Sequence, residues 1–199
     1  MMNNIILKCV AGFSLLMILG CVSKAPESSV YLLPNPPLSE NHPTPDSPTL
    51  NIASVHLSEF LSTRGFVIEM GENEVVVTQN HRWAESLEES ILRHLRRSIR
   101  SESFRVASVH DSSDIWDFQL HLEFDSFQSR SFDSVHTSGR WNLLDLESSE
   151  TVLERYFELS TTTALQNYEG IVQAYSDLLV ELSQQIIRTI ESSVAEKAE

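Results

Sequence analysis

The side chains that could do chemistry in this chain form none of the common catalytic or metal-binding spacings. The seven histidines lie at 42, 56, 81, 94, 110, 121 and 136, with no HxH or HxxxH pair within one predicted element. Zinc sites need several His, Cys or carboxylate side chains that converge in space. The sequence therefore predicts no metal ligand, and we expect these histidines to be solvated or hydrogen-bonded.

Serine and glycine give no catalytic signal. The chain has no GxSxG and no SxxK motif, so the usual patterns around a nucleophilic serine are missing. The glycines after residue 21 are Gly65, Gly71, Gly139 and Gly170. With that spacing, no glycine-rich phosphate loop can be written. The sequence thus predicts no catalytic residue and no cofactor, and we expect a protein that is not an enzyme.

Two alternatives stay open at this point. Asp117, Glu123 and Asp125 lie on one face of a predicted strand and could imitate the carboxylate pair of a glycosidase. We expect them instead to form the solvated face of a sheet. Trp83 could stack on a ligand, but its place at the start of an apolar stripe favours a core residue.

Cys21 has the most informative position. Residues 9–19 form a mostly apolar run of eleven residues behind Lys8. A membrane-spanning helix needs about 20 residues, so this run is typical of a signal-peptide core. It ends in Met17-Ile18-Leu19-Gly20-Cys21, which resembles the lipobox of bacterial lipoproteins. That resemblance implies cleavage between Gly20 and Cys21, removal of residues 1–20, and acylation of Cys21. Two or three acyl chains anchor a protein stably, whereas one chain binds only marginally.

Composition limits the partners. Cys9 is lost with the signal peptide and Cys21 is used by lipid, so no disulfide and no cysteine metal site is expected. The chain has 14 Lys+Arg against 28 Asp+Glu, a formal charge of −14. This balance argues against nucleic acid and against electrostatic binding to anionic headgroups, so membrane attachment has to come from the acyl chains. Acidity of this kind favours solubility or a face for a basic partner.

The prolines divide the chain into a tether and a domain. All seven prolines lie between Pro26 and Pro48. Residues 21–49 are therefore predicted to be a lipidated cysteine and a Pro-rich tether, with a short strand near residues 30–33. Residues 50–199 are predicted to form the folded domain.

Apolar periodicity predicts the elements of that domain. Phe118, Leu120, Leu122 and Phe124 alternate with polar residues, which is typical of a half-exposed antiparallel strand. The predicted elements are a strand at 50–57, a turn at 58–61 capped by Ser58, a hairpin of 66–70 and 74–78, a helix at 83–99, strands at 104–108, 115–127, 135–146 and 152–161, and a helix at 168–194. We expect an α+β fold, with a mostly antiparallel sheet and two long helices packed on one face.

One group of short motifs matches a known family. The stretch His81-Arg82-Trp83-Ala84-Glu85-Ser86-Leu87 follows a hairpin with Gly71-Glu72-Asn73-Glu74. With the lipobox and the early strand Tyr31-Leu32-Leu33, this order resembles the PqiC-type ABC-type transport auxiliary lipoproteins. The chain departs from the family at Leu57-Ser58, where members often have Leu-Pro, and in its acidity. The residues that carry the resemblance are Tyr31, Arg82, Trp83, Ala84, Leu87, Tyr168, Val172 and Ala174.

The resemblance implies a function by tethering. Such proteins are outer-membrane lipoproteins that face the periplasm and serve as docking subunits of MCE-type intermembrane phospholipid transport. The implied partners are a PqiB-like MCE-domain membrane protein, its associated integral membrane components, and the membrane itself through the acyl chains. Val22, where inner-membrane retention typically has Asp, is compatible with outer-membrane sorting. A homo-oligomeric ring would suit this geometry. The alternative is a stand-alone envelope-assembly or structural lipoprotein without a transport partner.

Overall fold

The computed structural model describes residues 27–36, 43–44, 47–100, 103–106 and 116–197, with side chains described up to residue 193. The predicted signal peptide at residues 1–20, its cleavage site at Gly20 and Cys21, and the predicted lipidation of Cys21 lie outside the described residues. Those assignments stay predictions.

The described residues form one mixed sheet and two helices, and the α+β prediction is confirmed. A single 3-10 turn (Glu59–Leu61) follows the second strand. The strands are β1 (Ser29–Tyr31), β2 (Thr49–Leu57), β3 (Gly65–Gly71), β4 (Glu74–Trp83), β5 (Arg105–Val106), β6 (Phe118–Arg130), β7 (Ser134–Asp145) and β8 (Glu150–Thr162). The helices are α1 (Leu87–Ser98) and α2 (Tyr168–Lys197).

Strand β6 organises the sheet. On one side it pairs along its length with β7, which pairs in turn with β8, and both pairings are antiparallel. On the other side of β6, β2 runs parallel to the first half of β6. β3 pairs with the last two residues of β6, at Ile68↔Ser129 and Glu69↔Arg130. β5 lies parallel to β2, β4 forms an antiparallel hairpin with β3, and β1 lies parallel to β4. Strands that follow each other directly as hairpins are thus antiparallel, and strands that are distant along the chain pair in parallel.

The structure differs from the sequence prediction at Trp83 and at Ser58. Trp83 ends β4 instead of starting the helix, which begins at Leu87, and the backbone N–H of Trp83 donates to the Arg64 carbonyl at 2.7 Å. Trp83 continues the apolar spacing of the helix because both elements face one core. Ser58 does not cap the 3-10 turn through its side chain; its hydroxyl donates to the Phe124 carbonyl at 3.3 Å.

The predicted tether contributes a strand to the sheet. The strand expected near residues 30–33 lies at Ser29–Tyr31 and pairs with β4, and Leu33 just after it is buried. β2 begins at Thr49. The folded sheet therefore includes residues on both sides of the boundary predicted at residue 50.

The core lies between one face of the sheet and the two helices. Of the residues predicted to alternate along β6, Leu120, Leu122 and Phe124 are buried and Phe118 is half-buried. An apolar stripe of α2 is also buried, as far as its side chains are described. Burial of these apolar side chains is the main stabilising term. The strand residues among them are Leu120, Leu122, Phe124, Trp141, Leu143, Phe157 and Leu159, and the helix residues are Ile171, Tyr175, Leu178, Leu179, Leu182, Ile186 and Ile190.

A buried histidine joins the two helices. His94 of α1 is only 1% exposed, and its Nε2 lies 3.0 Å from the Ser176 hydroxyl of α2. Its Nδ1 lies 3.1 Å from the Ser98 hydroxyl. Burial, with smaller contributions from the charges of Arg93 and Arg97, lowers the pKa of His94 to about 4. The imidazole is therefore neutral in the folded protein at neutral pH.

Candidate functional site: an aromatic clamp

The site is built where the first strand meets the last helix. β1 lies beside the end of β4, with Ser29 opposite His81 and Tyr31 opposite Trp83. The backbone N–H of Ala84 donates to the Tyr31 carbonyl at 2.9 Å. Because the two strands are parallel, the backbone before Ser29 points toward the hairpin end of β4. Backbone pairing over only three residues holds a strand weakly. Side-chain contacts therefore have to strengthen the attachment of β1.

Five aromatic rings supply that attachment. We call the rings of Tyr31, Phe66, His81, Trp83 and Tyr168 the aromatic clamp. The Tyr31 hydroxyl lies 2.9 Å from Nδ1 of His81. The His81 ring stacks on Tyr168 with centroids 3.7 Å apart and planes 11° apart. Phe66 meets Tyr31 edge-on at 5.3 Å and lies 4.3 Å from the Trp83 ring. Such contacts contribute beyond the burial of area alone.

A bulge in β4 brings His81 into the clamp. β3 and β4 pair at Gly65↔Arg82 and at Val67↔Val77, so β4 has several more residues than β3 between these positions. The Thr78 hydroxyl accepts a hydrogen bond from the Phe66 backbone N–H at 2.9 Å, which bridges the gap. Bulges re-aim side chains in this way.

The start of α2 is fixed against the sheet, which positions Tyr168. The Asn167 side-chain oxygen accepts from the Gly170 N–H at 2.8 Å, as an N-cap does. Gln166 donates to the Asp133 carboxylate at 2.8 Å, in the β6–β7 turn. Phe132 from the same turn packs edge-on against Tyr168 at 5.2 Å.

The chemistry of the clamp is packing and hydrogen bonding. Burial, and to a lesser degree the neighbouring Tyr31, raises the pKa of Tyr168. Its phenol therefore stays neutral and supplies a ring instead of an anion or a base. Within the described ranges, no group of three or more His, Cys, Asp or Glu side chains could hold a metal ion.

The structure brings some of the motif residues together and separates others. Tyr31 and Tyr168 are in ring contact, and Phe66 connects both of them to Trp83. Arg82 is exposed, and Ala84 contributes a backbone hydrogen bond to β1. The remaining motif residues are buried in the helices, and they are Leu87, Val172 and Ala174.

Sequence reasoning missed two members of the clamp. His81 is the first residue of the motif that carries the family resemblance, so a signal for it was present. Phe66 sits in a predicted strand with no local sign that it reaches Tyr31 and Trp83. Only the pairing of β3 with β4 and the packing of α2 place it there.

Two crystal structures share this fold. One is an uncharacterized protein, 23% identical, with a TM-score of 0.69, covering 82% of this chain and 99% of its own. The other is a protein from Xanthomonas campestris assigned to the DUF330 family, 14% identical, with a TM-score of 0.67, covering 85% of this chain and 99% of its own. No curated protein sequence matches this chain.

The class of domain is thus an α+β domain with one mixed sheet and two helices. The chain belongs to the family of ABC-type transport auxiliary lipoprotein components, whose model matches residues 31–187. The matched region begins at Tyr31 of the clamp and runs through most of α2. The resemblance read from the motifs is confirmed at the level of the family. Among the described residues, no helix is long and apolar enough to cross a membrane.

Proposed function

We propose that this protein is an outer-membrane-anchored periplasmic lipoprotein and the docking subunit of an MCE-type intermembrane phospholipid transport system that supports envelope integrity. It acts by binding and positioning, and not as an enzyme. The observation that carries the proposal is the aromatic clamp, because it fastens the strand nearest the predicted lipid anchor to the folded domain. Membership of a transport auxiliary lipoprotein family supplies the transport role.

The clamp gives the anchor a defined relation to the domain. Ser29 is eight residues after Cys21, which is at most about 30 Å of extended chain. The β1 edge is therefore held within that reach of the acyl chains. A docking subunit needs such a link, since a loosely attached first strand would let the domain drift from the membrane surface.

The acidic surface supports a basic protein partner. On the outer face of β6 and β7, Glu123 pairs with Arg140 as a register partner, and Asp125 beside it is exposed. With a formal charge of −14, the protein attracts cationic surfaces and repels anionic ones. The partner we assign is a PqiB-like MCE-domain membrane protein, with its associated integral membrane components.

The test is affinity purification of the full-length, C-terminally tagged protein from detergent-solubilised envelope, followed by mass spectrometry. We expect an MCE-domain protein in the eluate. We also expect it to be retained by Cys21→Ala when the domain is still exported, because the contact lies in the folded domain. An eluate without such a partner contradicts the transport role and favours the stand-alone envelope lipoprotein.

A second measurement addresses the membrane. Separation of inner and outer membranes on a density gradient should place the protein with the outer membrane. A distribution that follows the inner membrane would overturn that part of the proposal and leave the docking role in place. The genes beside this one offer a further check, since MCE-type membrane proteins encoded there would support the transport role.

A further inference from the structure

We propose that the free edge of β4 binds an extended, basic segment of a protein partner as an added strand. We call residues 74–80 of β4 the hairpin edge. β4 pairs with β3 on one side, and among the described residues its other side pairs with β1 only at His81, Arg82 and Trp83. Among the described residues, no strand pairs with the outer side of residues 74–78, while the Gln79 carbonyl accepts from the Arg82 side chain. An unpaired strand side of this kind is a template for another strand.

The side chains of the hairpin edge are apolar where they meet water. Val75, Val76 and Val77 are 42%, 44% and 42% exposed, and Met70 across the hairpin is 62% exposed. No charged residue interrupts residues 75–80. Contiguous exposed apolar side chains on a strand mark an interaction site.

Strand β8 shows what a protected edge looks like in the same molecule. Within the described part of the chain, β8 pairs only with β7, so it also has a free side. It carries the exposed charged residues Glu154, Arg155 and Glu158. Charges of this kind block unwanted strand pairing. Residues 75–80 carry no such charge, which points to pairing that the protein uses.

Charge selects the partner. Glu72 and Glu74 are exposed at the hairpin turn, while Glu69 is paired with Arg130 at 3.1 Å. A second copy of this chain carries the same formal charge of −14, and an anionic membrane is negative as well, so both would be repelled. A segment with Lys or Arg beside apolar β-forming residues fits both features. Main-chain hydrogen bonds then give affinity and alternate side chains give specificity.

This inference rests on the proposed function for the source of the strand. The partner is the protein docked by the auxiliary lipoprotein, and the hairpin edge is the surface that receives it.

The experiment places a benzophenone photo-cross-linking side chain at residue 76 of the full-length protein in intact envelope. The matched control carries the same side chain at residue 154, which is exposed on β8. We expect an adduct at 76 in about tenfold excess over 154, because only the edge at 76 receives a partner strand. Mass spectrometry should map it to an extended partner segment that contains Lys or Arg. Equal yields, no adduct, an adduct with a second copy of this chain, or an adduct with lipid alone would each overturn the inference.

Two variants separate this inference from the proposed function. Val76→Lys adds a charge that blocks strand addition, whereas Val76→Thr keeps the β-branched shape. Val76 is half exposed, so both variants should unfold at the temperature of the wild type. We expect partner recovery in affinity purification to fall about tenfold for Val76→Lys and to stay unchanged for Val76→Thr. If Val76→Lys recovers as much partner as the wild type, the inference that the hairpin edge binds the partner is overturned and the proposed function stands. If the wild type itself recovers no partner, the proposed function is overturned.

Discussion

The ring of His81 lies parallel to the ring of Tyr168, with centroids 3.7 Å apart. This contact joins the end of β4 to the first residue of α2. The same histidine faces the Tyr31 hydroxyl at 2.9 Å, so one imidazole connects the first strand, the hairpin and the last helix. The attachment of β1 therefore depends on residues from three distant parts of the chain.

Truncating Tyr31 should loosen this attachment in two steps. Tyr31→Phe removes the hydroxyl that faces His81 and keeps the ring, so we expect a loss of about 1 kcal/mol in the free energy of unfolding. Tyr31→Ala also removes the contacts with Phe66 and Tyr168, and we expect a loss of about 3 kcal/mol. Urea denaturation of the purified protein measures both.

The control for these variants is Tyr156→Phe, because Tyr156 is 76% exposed on β8. Its free energy of unfolding should stay within about 0.5 kcal/mol of the wild type. Equal losses for Tyr31→Phe and Tyr31→Ala would show that the rings of the clamp contribute nothing.

The buried His94 should make stability depend on pH. Its pKa is about 4 when folded against an ordinary value of 6.5, so below pH 6.5 the unfolded chain binds more protons. The stability that depends on a neutral His94 is fully present above pH 6.5 and is lost as the pH falls toward 4. Between pH 7 and pH 5 we expect His94 to lower the free energy of unfolding by about 2 kcal/mol.

His94→Gln isolates the effect, because glutamine is polar and does not titrate. The carboxylates, and His136 with its pKa lowered by burial, titrate in both proteins. The measured quantity is the difference between wild type and variant in the free energy of unfolding at pH 7 and pH 5. Parallel pH profiles for the two proteins would contradict the assignment.

Gly170→Ala should destabilise the protein although it lies in a helix. Helix propensity alone favours alanine over glycine by about 1 kcal/mol. A Cβ at position 170, however, would lie 1.9 Å from the Leu165 carbonyl oxygen. Moving that backbone disturbs the loop that holds Tyr168, so we expect a net loss of about 1–3 kcal/mol in thermal or urea denaturation.

Gly71→Ala is the matched control for that change. A Cβ at position 71 would meet nothing within 4 Å. The free energy of unfolding should stay the same or rise by about 0.5 kcal/mol, since alanine restricts the unfolded chain. A gain in stability for Gly170→Ala would show that the contact with Leu165 is not close.

The predicted lipidation is tested at Cys21. Cys21→Ser should abolish incorporation of radiolabelled palmitate and move any exported protein from the membrane fraction to the soluble periplasmic fraction. Stable anchoring requires two or more acyl chains, so loss of the acceptor should be complete. Cys9→Ser is the control, because Cys9 lies within the predicted signal peptide, and labelling should be unchanged. Continued labelling of Cys21→Ser would contradict the lipobox.

Much of the fold was predictable because burial leaves a periodic trace. Phe118, Leu120 and Phe124 alternate along β6, and the stripe of α2 recurs at helical spacing, so the inward faces and the α+β class follow from local pattern. The same reasoning wrongly placed Trp83 in the helix. Trp83 is a strand residue that enters the same core, so it continues the apolar spacing of the helix that follows it.

The sequence by itself determined which side chains are buried, the family signature around Trp83, and the pattern that nominates Cys21. The tertiary structure alone decided that β2 and β3 share one side of β6, that β1 joins β4, and that Tyr31, His81 and Tyr168 meet. The physical reason is that periodicity reports the environment of each face, which is a local property. Strand partners and ring contacts depend on where distant segments settle when they compete for one core, and no single segment encodes that result.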